Sequence, residues 1–87
     1  KLPSGRRLDL VILFGKIKIG IEVKMSLSET SVAQRLLGQI DEYIDYCDTL
    51  IIMSYYPIER WEIINKIKQK VNKKGKIIKI VDRYKIL

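Results

Sequence analysis

Residues 5–24 read GRRLDLVILFGKIKIGIEVK, with Met25 next. Leu10 to Phe14 is an unbroken apolar run with β-branched content, which predicts a buried strand. Gly15 turns the chain. From Lys16 to Met25 the side chains alternate. Ile17, Ile19, Ile21, Val23 and Met25 share one side; Lys16, Lys18, Gly20, Glu22 and Lys24 share the other. Period-two alternation of this length is the mark of a strand. Two such strands around a glycine predict an antiparallel hairpin.

The rest of the chain is organised around that hairpin. Residues 1–7, with Pro3, Gly5, Arg6 and Arg7, read as a loop leading into it. Residues 26–31 form a polar break, and Ser31 followed by Gln34 fits a capping box that opens a helix. Val32, Leu36, Ile40 and Ile44 recur four apart, with Ala33, Leu37, Tyr43 and Cys47 beside them, as a core-facing stripe. Residues 48–54 hold Leu50-Ile-Ile-Met53, a short strand expected to be buried on both faces. Pro57 suits the first turn of a second helix. Its expected core stripe is Ile58, Trp61, Ile64, Ile67 and Val71, and Gly75 is its C′ stop. Residues 76–81 form the last strand. The order is β-β-α-β-α-β: one α/β domain over residues 1–87, with a mixed sheet flanked by helices and a parallel crossover after the hairpin.

Composition narrows the chemistry. The 87 residues are 47% hydrophobic and 31% charged, too apolar for disorder and too few for two domains. No apolar run is long enough to cross a bilayer, and no signal-peptide pattern opens the chain. The single cysteine, Cys47, excludes an internal disulfide framework and fits a reducing compartment, the cytoplasm. It reads as a small buried hydrophobe. The absence of histidine removes Ser-His-Asp and Cys-His mechanisms, His-rich zinc sites and any imidazole base. Carboxylates, lysines, hydroxyls and an oxygen-bound metal remain. Seventeen Lys and Arg against ten Asp and Glu give a net charge of +7, which favours a polyanionic partner. The abundance of Lys and Ile and the scarcity of Gln point to a thermophilic source.

Three polar residues stand where packing alone does not ask for them. Asp9 heads an apolar strand. Glu22 and Lys24 leave the same face of the next one, roughly 7 Å apart. Folding the hairpin at Gly15 brings Asp9 beside Glu22. Two carboxylates in a partly dry site repel, so one protonates or a cation sits between them. Mg²⁺ is the hard cation best served by two carboxylates, waters and a substrate phosphate, with Mn²⁺ as its substitute. A neighbouring lysine can orient an attacking water and stabilise charge growing on phosphorus.

Asp9 followed by Gly20-Ile-Glu22-Val-Lys24 resembles the PD-(D/E)xK nuclease superfamily. Residues 5–24 are similar to the metal-binding hairpin of that restriction-endonuclease-like fold, as in archaeal Holliday-junction resolvases. Gln39-Ile-Asp-Glu-Tyr43 resembles the QxxxY pattern of its RecB-like branch. The likeness spans residues 5 to about 54. It implies that Asp9 and Glu22 bind Mg²⁺ with the Val23 carbonyl, and that Lys24 positions the hydrolytic water. Gln39 and Tyr43 would support the site or touch the substrate strand. The activity implied is hydrolysis of DNA, leaving a 5′-phosphate. Leu8 stands where the motif's name has proline. The family core also starts with a helix and a strand ahead of the Asp strand. Here only eight residues precede Asp9, so the chain is expected to be N-terminally truncated, its sheet completed by a preceding segment or by a second copy.

Plainer readings stand beside these. An Asp and an Glu-x-Lys pair arise often by chance, and their weight comes from strand placement, helix pattern and charge. The same fold could hold nucleic acid or dimerise without catalysis, since fold does not imply function. Tyr43 also falls on the core stripe. Arg6 and Arg7 could grip phosphate or simply be solvated. Lys66, Lys68, Lys70, Lys73, Lys74, Lys76 and Lys79 could track phosphates or complement the helix dipole. Tyr55, Tyr56 and Trp61 could stack bases, with Trp61 expected in the core.

Overall fold

In the computed structural model, which describes residues 8–87, the chain reverses at Gly15-Lys16 between β1 (Leu10–Phe14) and β2 (Ile17–Lys24). Gly15 has φ +60°, and a glycine in the first of two turn positions is the choice of a type II′ hairpin. Leu10 faces Ile21 and Phe14 faces Ile17 in an antiparallel ladder. Then come α1 (Thr30–Tyr46), β3 (Thr49–Ser54), α2 (Trp61–Lys73) and β4 (Ile77–Val81). The sheet order is β1-β2-β3-β4, with β2, β3 and β4 mutually parallel. This is the expected α/β order around a mixed sheet.

Each parallel pair needs a helical crossover, and both crossovers cover the same face. That face carries Gly20 and Glu22 of β2, Leu50 and Ile52 of β3, and Ile80 of β4, all buried. Leu36, Ile40 and Ile44 of α1 and Ile63, Ile64, Ile67 and Val71 of α2 close over them. Each fully buried Leu or Ile contributes about 1.5–3 kcal/mol relative to exposure.

Three packing expectations change. β1 is an edge strand among the described residues, and Phe14 is 73% exposed rather than buried. β3 buries Leu50 and Ile52 but leaves Met53 exposed on the uncovered side. Trp61 is 57% exposed, because Ile63 and Ile64 take the core-facing positions of α2.

Two helix starts shift as well. α1 begins at Thr30, one residue ahead of the Ser31 box. Glu29 is its N-cap through the backbone, accepting from Ala33 N–H at 3.0 Å, and no side chain caps it. α2 begins at Trp61, beyond Pro57. The Ile58 N–H is held by Asp82 Oδ2 at 3.2 Å, which buries Ile58 from a loop. The end of α2 is as expected. Gly75, at φ +68°, donates to Asn72 O, and Lys76 N–H donates to Val71 O. That pair of bonds is the Schellman arrangement.

Candidate active site

The hairpin register puts Asp9 opposite Glu22, since Leu10 faces Ile21. Asp9 sits just before β1 and is exposed; Glu22 lies inside β2, 4% exposed. Glu22 is the one charged residue that is buried among the described residues. A buried carboxylate is costly unless something compensates it.

Several groups converge on it. The Asp9 N–H points at Glu22 Oε1, at 3.4 Å. Lys24 Nζ lies 3.3 Å from Glu22 Oε2. The Tyr43 hydroxyl donates to the same oxygen at 3.3 Å. Tyr43 is therefore both a core residue of α1 and a partner of the acid, so its two readings are compatible. Burial is the main force on Glu22, and it raises the carboxyl above the usual range; Asp9 adds to the rise and Lys24 opposes it.

Asp9 Oδ2 accepts the Val23 N–H at 2.7 Å. In a strand the N–H and C=O of one residue point the same way. The Val23 carbonyl thus faces the gap beside Asp9. Gln39 lies one helical turn before Tyr43, and its Oε1 is buried without a hydrogen-bond partner among the described residues. An orphaned acceptor of this kind suits a water or a ligand.

The donor set is hard oxygen: an exposed carboxylate, a buried one and a backbone carbonyl. That set fits Mg²⁺, which keeps several waters and needs only one or two carboxylates. Among the described residues no cluster of three or more His, Cys, Asp and Glu side chains forms.

Other candidates fall elsewhere. Arg6 and Arg7 lie outside the described residues. The lysines of α2 gather at its C-terminal end, and helices of parallel crossovers run opposite to the strands, so they stand at the far end of the sheet from Lys24. Lys70 is paired with Asp41 at 2.9 Å and Lys74 with Asp45 at 3.7 Å. Ser54 carried no motif to single it out. It is buried opposite Lys24, and its Oγ donates to Tyr56 O at 2.6 Å. Burial pushes the Cys47 thiol up, which keeps it protonated and inert.

No family model, curated protein or solved structure matches this chain. The reading of the site therefore stands on its geometry.

Proposed function

We propose that this chain is a Mg²⁺-dependent nuclease domain of the PD-(D/E)xK kind, hydrolysing DNA phosphodiester bonds. One observation carries the reading: Glu22, the one buried carboxylate among the described residues, faces Asp9 across the hairpin with Lys24 Nζ at 3.3 Å. A purely structural strand has little reason to bury an acid between an acid and a lysine. The +7 charge suits a polyanionic substrate.

Asp9, Glu22 and the Val23 carbonyl would hold the ion, which supplies positive charge to the phosphate and acidity to a bound water. Lys24 orients the attacking water and holds its ammonium near the charge that grows on the phosphate oxygens. Tyr43 fixes the Glu22 carboxylate through its hydroxyl. Gln39 would offer its buried, unpartnered oxygen to a water. With no histidine in the chain, no imidazole takes part in proton transfer.

The test is cleavage of labelled DNA with Mg²⁺, alongside DNA binding without it. Glu22→Ala and Lys24→Ala are expected to lose at least about a hundredfold in rate while binding DNA as the parent does. If the parent never cleaves, or both variants cleave at the parent rate, the catalytic reading is wrong. The fold is then a binding or dimerisation module.

A further inference from the structure

The carboxylate site ends at Lys24, and the sheet does not end there. Tyr55 N–H donates to Lys24 O and Tyr56 N–H to Met25 O, both at 3.0 Å. The ladder between β2 and β3 thus runs on past the site into two tyrosines. Their rings meet edge to face, 5.1 Å between centroids, and each is half exposed. Beyond β4 the chain turns back beside them. Asp82 Oδ1 accepts the N–H groups of Tyr84 and Lys85, at 2.8 and 3.0 Å, while its Oδ2 accepts Ile58 N–H. One carboxylate therefore ties the loop after β4 to the loop after β3.

That tie presents aromatic rings with cations over them. Arg83 lies 5.2 Å from the Tyr55 ring and 5.8 Å from the Tyr84 ring, and Lys85 lies 5.7 Å from the Trp61 ring. Tyr84 is 73% exposed. Exposing these rings sacrifices burial that a small domain would otherwise use. They gather at the carboxyl ends of the parallel strands, where open α/β sheets bind ligands.

We propose that Tyr55, Tyr56, Trp61 and Tyr84, with Arg83 and Lys85, form a stacking platform for unpaired bases of a DNA strand at the carboxyl end of the sheet that carries the Asp9–Glu22 pair. The inference rests on the nuclease reading for the purpose of the strand, and it makes the substrate DNA with a single-stranded stretch. Aromatic faces bind any exposed base, and arginine and lysine meet the phosphates between them. A base inside a duplex has no free face to offer. Tyr55 stands one strand over from Glu22 and three residues beyond its partner Ile52, roughly 10 Å further along the strand. With Arg83 it lines a pocket shared with Val23 and Met53, so a strand held at Glu22 reaches it by rounding the carboxyl end of the sheet.

Trp61 is the sole tryptophan, so its fluorescence reads the platform directly. The experiment titrates the protein, without metal, with oligo(dT) and with a blunt duplex of equal length. Oligo(dT) is expected to quench Trp61 and to bind at least about tenfold more tightly than the duplex. Tyr55→Ala should weaken oligo(dT) binding about tenfold. Tyr55→Phe should keep it, and both variants should melt as the parent does. Absent quenching, equal affinity for the two DNAs, or an unchanged Tyr55→Ala overturns the platform. Cleavage of duplex DNA alone would leave the nuclease standing without it. Tight oligo(dT) binding with no cleavage would do the reverse.

Discussion

Glu22 concentrates the physics of the site. Its burial, with Asp9 beside it, holds the folded carboxyl above its unfolded value despite Lys24. A raised acid means that the folded state binds more protons than the unfolded one between those two values. Stability therefore falls as pH rises through that window, and the full penalty is present above it. Glu22→Gln removes the penalty. It should melt higher than the parent at neutral pH, and the gain should vanish as pH drops below the unfolded carboxylate value of about 4.3. Thermal unfolding across pH checks this, and a lower melting point for Glu22→Gln at neutral pH would contradict it. Spacing in the sequence was enough to put Asp9 near Glu22. It could not show that Glu22 lies on the covered side, because alternation separates two faces without saying which one meets the helices.

Gly20 shows why β2 turns its polar side inward. A Cβ there would stand 2.5 Å from Cys47 Sγ and 2.7 Å from Leu8 Cδ1. The end of α1 packs against bare backbone at that point. The Leu8 tip can swing away, but Cys47 is the buried C-cap residue of α1 and has little room. Gly20→Val should cost about 1–3 kcal/mol by overpacking. Chemical denaturation would measure it, and an unchanged midpoint would show that α1 yields freely. The elements themselves were legible. The hairpin, both helices and the two later strands follow from periodicity and from Gly15 and Gly75. Helix starts were not, because Glu29 and Arg60 cap through the backbone alone, leaving no side-chain signature. Trp61 misled because its spacing from Ile64 fits a stripe, yet Ile63 occupies the core instead.

Across the whole molecule, the covered face and the open face are made of unlike residues. Leu10, Ile12, Phe14, Ile17, Val23, Met53 and Ile77 all stand exposed on the side away from the helices. Exposed apolar side chains gathered on one side in this way differ from singly scattered ones. The sequence led to an expectation of burial for β1 and for both faces of β3 because apolar runs were read as surrounded. Two crossovers on the same side leave the other side uncovered among the described residues. The candidate site avoids that exposure: it lies under α1 at the carboxyl end of β2, where Tyr43 reaches Glu22. Its meaning depends on whether Asp9 and Glu22 together hold a hard cation. The most direct measurement is anomalous diffraction from crystals soaked in Mn²⁺. The account predicts an ion at about 2.1 Å from carboxylate oxygens of both Asp9 and Glu22. Saturating Mn²⁺ that leaves the space between those two oxygens empty would contradict it.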